Sequence, residues 1–253
     1  MVQGFGQRLR AAGLIGVTLA MLAACAILIS LGNWQMNRKA WKEGLVADIA
    51  ARTRAAPADA GARILDGLPE YTRVRLHGRF LHHHERFMFA DGPGGSGFHV
   101  LTPLEIAPGQ VVWVNRGYIP ARVKDPAARA TGQIEGTAEV TALVRLPGGR
   151  NAFTPSNDVA KNVWFWRDLD ALNASIATAG VTLAPWLVDA EALPANPGGW
   201  PQGGTTLVTL SNRHLEYALT WYALAVTLIG VYLAFARSLR VVRPGTGQET
   251  GQE

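Results

Sequence analysis

Two long apolar runs frame this chain, and the rhythm of hydrophobic positions changes between them. From Ala11 to Asn37 there are 27 consecutive residues without Asp, Glu, Lys or Arg, and from Tyr217 to Ala236 there are 20 more. At about 1.5 Å per helical residue, roughly 20 residues cover the ~30 Å hydrocarbon core of a bilayer, so either run can span it. Trp34, Arg38, Trp41 and Leu45 continue the first run at spacings of four, three and four, which predicts a helix that carries on beyond the apolar stretch. Tyr217, Trp221 and Tyr222 stand in the first turns of the second run, so that aromatic residues mark the same end of both spans.

The 176 residues between the runs, 38–213, hold 13 of the 14 prolines, and their pattern is short and alternating. Thr72, Val74, Leu76 and Phe80 against Arg73, Arg75 and His77 predict a strand with one wet face. Further strands are expected at 86–90, 98–105, 110–119 and 136–146, with two more at 163–167 and 186–188, all bounded by Gly, Pro or Asp turns. A helix is expected over 168–179 with Asp168 as its cap, and the Pro- and Gly-rich stretch 194–204 reads as a linker. The fold class is therefore a membrane protein whose two transmembrane helices flank a β-rich (α+β) extracytoplasmic domain, built as an antiparallel sheet or small barrel. The expected divisions are a tail at 1–10, spans at 11–34 and 213–236, the domain at 35–212 and a second tail at 237–253.

Composition narrows the classes. The chain is 48% hydrophobic and only 17% charged, which with the two runs excludes a soluble single-domain enzyme, a disordered protein or a disulfide scaffold. The net charge of +5 does not form a nucleic-acid stripe: 19 basic and 16 acidic residues nearly balance within 38–213. Arg237, Arg240 and Arg243 follow the second span, and Arg8 and Arg10 precede the first; both termini are expected in the cytoplasm and the domain outside, although Arg38, Lys39 and Lys42 compete. Cys25 is the only cysteine. The sequence Leu22-Ala23-Ala24-Cys25 resembles a lipoprotein processing site, but the apolar residues after it favour a span residue instead.

The chemical motifs are sparse. Residues 92–97 match G-x-G-x-x-G, yet the next residues, from Phe98, read as a strand stopped by Pro103, so a hairpin loop is expected in place of a nucleotide site. No motif argues for catalysis. On a strand His82 and His84 would share a face with His83 opposite, giving two of the three or four ligands a metal site needs; a polar turn is the plainer reading. His214 precedes the second span, with Tyr217 and Trp221 three and seven residues on. An imidazole over an aromatic wall at the edge of an apolar slab suits a haem, with Arg213 near for a propionate; an interfacial histidine in a first helical turn is the plainer reading.

Several blocks, in order along the chain, together resemble the Surfeit locus protein 1 family: Leu31-Gly-Asn-Trp34-Gln-Met-Asn-Arg38, Gly97-Phe-His-Val-Leu-Thr-Pro103, Val114-Asn-Arg116-Gly-Tyr-Ile-Pro120, Phe153-Thr-Pro155-Ser-Asn157-Asp158, Asn162-Val-Trp164-Phe-Trp-Arg-Asp168 and His214-Leu-Glu-Tyr217-Ala-Leu-Thr-Trp221. The resemblance implies a non-enzymatic assembly factor for haem-copper terminal oxidase, usually cytochrome c oxidase, acting where subunit I receives haem a, with haem a synthase as a further partner. It also implies a domain on the outer side of the bacterial or mitochondrial inner membrane. Proposed haem contact in bacterial members falls here on His214, with Tyr217 and Trp221 beside it. The triple histidine lies outside that pattern, and the short N-terminal segment without an Arg/Ser-rich extension fits a bacterial cytoplasmic membrane better. Two alternatives stay open: a pure scaffold for oxidase subunits without haem, and a membrane-anchored metal-binding protein using His82 and His84. Whether Arg116 and Arg167 pair with carboxylates or contact propionates is likewise open.

Overall fold

In the computed structural model, residues 2–61, 67–93, 95–177, 179–206 and 212–241 are described, with side chains between Gly13 and Ser238. The chain divides into two compact units, Met1–Ala47 with Leu210–Glu253, and Asp48–Thr209.

The first unit is a pair of helices. Helix α1 runs without interruption over Val2–Arg54; no proline occurs before Pro57, which cannot continue it. The later helix of this unit spans His214–Val241. Both are long and apolar enough to cross a membrane. Unlike the core helix of a soluble protein, they leave side chains such as Ile15, Leu19, Leu22, Leu219, Val226 and Val231 more than half exposed. What the helices hide from the surroundings is a narrow seam: Cys25 on α1, and Ala218 and Ala225 on the other. The ring of Tyr222 lies so close to Gly32 that any side chain at 32 would overlap it. Thr18 and Tyr232 share a hydroxyl hydrogen bond of 2.7 Å. Gly16 and Gly230 face open space. The predicted stripe beyond the span is helical but exposed at Trp34 and Trp41, with the Arg38 guanidinium 3.9 Å above the Trp41 ring.

The second unit is a β-barrel. Strands β1 (Ala58–Asp59), β2 (Arg73–Phe80), β3 (Arg86–Gly92), β4 (Gly95–Ala107), β5 (Gln110–Pro120), β6 (Thr137–Arg145) and β7 (Thr182–Ala190) lie in the order β1-β2-β6-β7-β5-β4-β3. Pairing of Arg79 with Glu105 and Phe80 with Leu104 joins β2 to β4 and closes five of the strands. Closure brings the two backbones together at Gly78, where a Cβ would stand 2.5 Å from the Glu105 carbonyl oxygen. The alternation in β2 and β6 puts Val74, Leu76, Val140 and Val144 into the barrel interior with Leu104, Val112, Val114 and Trp186. A second cluster, Leu101, Trp113, Trp164 and Leu187, is capped by Leu169 and Leu172 of helix α2 (Leu169–Ala174). The long helix His214–Val241 is α3.

Four expectations are corrected. The sheet is mixed rather than antiparallel, because β5 and β7 pair in parallel. Residues 163–167 form no strand: the Asn157 amide oxygen accepts from the Phe165 and Trp166 N–H groups and bends the segment, so that Trp164 alone bridges to Met88. Helix α2 has the expected cap, Asp168 Oδ1 accepting from Ala171 N at 3.1 Å, but it ends at Ala174, capped by Ser175, rather than at 179, and Thr178 lies outside the described residues. The stretch 194–204 is folded onto the barrel, with Gln202 paired to Tyr118 and Trp200 packed against the Phe87–Phe98 cluster. The G-x-G-x-x-G stretch is the β3–β4 hairpin, as expected; without side chains, Gly92 and Gly97 leave room for the Tyr118 ring, whose hydroxyl donates to the Gly95 carbonyl at 2.8 Å.

Candidate functional site

At the start of α3 the two helices exchange polar contacts. His214 Nδ1 lies 2.7 Å from Gln35 Oε1 of α1. With the Gln35 amide oxygen facing the ring as acceptor, the neutral form of the imidazole carries its proton on Nδ1 and its lone pair on Nε2. Two turns further along α3, Tyr222 donates its hydroxyl to Asn33 Oδ1 at 2.8 Å. His214 and Trp221 are both half-buried on the side of α3 that meets α1, whereas Tyr217, 60° round the helix, is 54% exposed. Arg213, expected to be free for an anionic ligand, is held by Glu216 at 2.9 and 3.0 Å. This arrangement presents one imidazole nitrogen able to ligate a metal, with an indole on the same helix face two turns on and Gln35 behind the ring.

The histidines at 82–84 do not share a strand face. They form a 3₁₀ turn in which the His83 and His84 rings lie 4.0 Å apart, tilted at 46° to one another, and His82 Nε2 meets the Ile134 carbonyl at 3.0 Å. Among the described residues no group of three or more His, Cys, Asp or Glu side chains converges, and the geometry assumed for the metal reading is replaced by a turn.

The residue that organises this region is the acid after them, which the sequence reading passed over. Glu85 is buried beside two buried arginines. Arg129 grips it with both terminal nitrogens, at 3.2 and 2.5 Å, and Arg116 Nη1 stands 3.6 Å away. Gln133 donates to the same carboxylate at 3.3 Å, and His82 Nδ1 lies 3.5 Å off. Burial pushes the Glu85 carboxyl up, but the polar contacts of His82 and Arg129 and the charges of Arg129 and Arg116 outweigh it and bring it down to about 2. Burial pushes the Arg116 guanidinium down to about 10, against the pull of Glu85 and with the repulsion of Arg129. Arg116 also lies over the Phe80 ring at 4.6 Å and donates to the Gly132 carbonyl and Asn196 Oδ1.

A second network is centred on Asp189 of β7, where Arg145 and Arg167 converge at 3.1 and 3.5 Å. Both arginines that the sequence left undecided thus pair with carboxylates: Arg116 with Glu85 and Arg167 with Asp189. Nothing in Val114-Asn-Arg116 or Phe165-Trp-Arg167 names these partners, whose identity depends on strand order.

The class this defines is a β-barrel domain tethered between two long apolar helices that pair through a polar-tipped seam. The comparisons specify it further. Residues 22–226 match the SURF1 family model. The chain is 35% identical over 243 residues to Surfeit locus protein 1 of Takifugu rubripes, covering 88% of this chain and 97% of that protein. It is 37% identical over 230 residues to the Homo sapiens protein of that name, covering 83% and 73%, and 34% identical over 236 residues to a SURF1-like protein of Monosiga brevicollis, covering 88% of each. The chain belongs to the SURF1 family.

Proposed function

We propose that this chain is a membrane-embedded assembly factor for a haem-copper terminal oxidase, working where haem a enters subunit I, and that His214 is its haem contact. On this reading α1 and α3 cross a bacterial cytoplasmic or mitochondrial inner membrane, with the barrel on the outer side. The arginines after α3 support that orientation, and its partners are oxidase subunit I and haem a synthase. The observation that carries the haem role is the His214–Gln35 pair: haem iron takes an axial nitrogen with a free lone pair, and the amide behind the ring leaves Nε2 in that state. Bound haem a would supply the iron and its redox chemistry; His214 would ligate it, Gln35 would hold the ring's tautomer and orientation, and Trp221 and the exposed Tyr217 would give apolar contact.

The same hydrogen bond also favours a second reading, in which His214 merely ties the helix pair together and the protein is a scaffold. Co-production of the full chain with haem a, purification in detergent and comparison of Soret absorbance with His214→Ala separates them: the carrier reading expects haem lost in the variant. Equal haem content in both would remove the carrier role. In cells without the gene, a lost carrier leaves oxidase deficient in haem a, whereas a lost scaffold leaves less oxidase with normal haem content.

A further inference from the structure

Beside Asp189 lies an open cleft of about 310 Å³ whose walls include Met88, His99, Asn115, Arg167, Asp189 and Thr205. Its polar groups are oriented by one chain of hydrogen bonds. Asn115 Oδ1 accepts from Gly117 N at 3.1 Å, which fixes which end of the amide is the NH₂. That NH₂ donates to Asp189 Oδ1 at 2.9 Å and to His99 Nδ1 at 3.2 Å. His99 Nδ1 is therefore the acceptor, and the ring's proton sits on Nε2, which makes no hydrogen bond among the described residues. Burial, the largest cause, outweighs the pull of the Asp189 charge and with the Arg167 charge holds the His99 ring below its ordinary value, so this neutral tautomer persists at neutral pH.

The charges in the cleft do not cancel at Arg167. Asp189 already accepts from Asn115, from Thr206 Oγ1 at 2.6 Å and from Arg145 at 3.1 Å, and Arg145 has Glu70 as a second acid at 3.0 Å. Arg167 is left with a single contact of 3.5 Å to an oxygen that two closer donors share. Most of a planar five-donor fork is thus unused, beside an N–H of His99 and the Thr205 hydroxyl. Arg145 and Arg167 balance Asp189 and Glu70 in number, so with no surplus cation a dianionic phosphate would be repelled more strongly than a singly charged carboxylate, and the weakly engaged Arg167 fork suits the latter. A cleft of this volume at the low end of small-molecule sites holds a short acid arm.

We infer that this cleft binds a single carboxylate carried by a small molecule, received by Arg167 with the His99 Nε2–H and the Thr205 hydroxyl. This does not rest on the haem contact at His214. The acid arm belongs either to a free organic acid or to a larger cofactor, and the chemistry at the cleft is the same.

The test is a sodium propionate titration of the ¹⁵N-labelled full chain in nonionic detergent, at ionic strength held constant with NaCl, following the His99 ring nitrogens. A saturating shift that Arg167→Gln weakens about tenfold or more, and that neutral propionamide does not produce, is expected. Arg167 gives up only its long contact to Asp189, which keeps three closer donors, so the variant should fold; Thr205→Val, which breaks no bond in the structure, should also weaken binding and decides the matter if Arg167→Gln does not fold. A shift that fails to saturate, that propionamide reproduces, or that is unchanged in both variants overturns the site. Tighter binding of inorganic phosphate than of propionate overturns the single-charge assignment. In a His214→Ala background, displacement of propionate by protoporphyrin IX but not by its dimethyl ester would assign the carboxylate to a porphyrin; displacement by neither would assign it to a free acid.

Discussion

Replacing Glu85 with Gln should expose the electrostatics of the barrel, because its carboxylate is the counter-charge facing two arginines that burial has cut off from water. Removing one partner of a buried ion pair costs about 3–5 kcal/mol, since the remaining charge stays desolvated. Proton linkage gives a second route to the magnitude. Lowering the carboxyl from 4.5 to about 2 corresponds to roughly 3 kcal/mol at about 1.4 kcal/mol per pH unit. The sign follows from the depressed value: the contribution is complete above about pH 4.5 and is lost as pH falls towards 2, with roughly 2 kcal/mol gone by pH 3. Glu85→Gln should therefore be about 3 kcal/mol less stable than wild type at pH 7, and the gap should shrink to about 1 kcal/mol at pH 3, where most of that contribution has gone. Urea unfolding of the full chain in nonionic detergent, followed by near-ultraviolet circular dichroism of the buried Trp113, Trp164 and Trp186, measures both. A neutral-pH gap below 1 kcal/mol, or one that stays constant from pH 7 to 3, would refute the account. Adding Arg129→Met should restore part of the loss by removing the stranded cation.

Two further outcomes rest on close contacts. Gly97→Ala would push a methyl into the Ile119 carbonyl and the Tyr118 ring; neither sits on a flexible end, so a loss of about 2 kcal/mol or more is expected in the same urea assay, and a neutral effect would mean that the hairpin is free to shift. Gln35→Leu removes the acceptor that holds the His214 Nδ1 proton; if His214 ligates haem, haem affinity should drop about 10–100-fold with the helices still paired, read as Soret absorbance in a haem titration, and unchanged affinity would show that Gln35 does not tune the ring.

Much of the barrel was legible because a strand with one buried face writes its geometry into alternate residues. In β2 the inward Val74, Leu76 and Phe80 and the outward Arg75 and His77 appear directly, and the hairpin at 92–97 is announced by glycine and proline. Pairing direction is a different matter: β7 lies parallel to β5 and antiparallel to β6, and nothing in the alternation of Trp186 and Val188 distinguishes these. The stretch 163–167 misled because its aromatic residues fit a strand, while the deciding feature, the Asn157 side chain taking two backbone N–H groups, does not show in the alternation. Glu85 was overlooked for a related reason. Its partners Arg129 and Gln133 lie 44 and 48 residues away, and three adjacent histidines drew the eye to the turn in place of the acid that fastens it. The helix ends were clearer, since His214 announced itself as an imidazole beside aromatic residues at the edge of an apolar run; its partner Gln35, on another helix, did not.

An anchor needs only length and hydrophobicity, and any apolar sequence of sufficient length would serve. The helix pair here carries more than that. Tyr222–Asn33, His214–Gln35 and Thr18–Tyr232 place three polar pairs along one seam, and Gly32 is hollowed out for the Tyr222 ring. Polar pairs between apolar helices contribute modestly to association, about 0.6 kcal/mol each on average, but sliding one helix along the other would leave every one of these groups without its partner. They therefore specify register more than strength. On the proposed reading, that register holds the His214 imidazole in one place at the end of the seam. The family match, at residues 22–226, begins and ends inside the two helices and takes in the whole barrel, with the Thr18–Tyr232 pair lying beyond it at both ends.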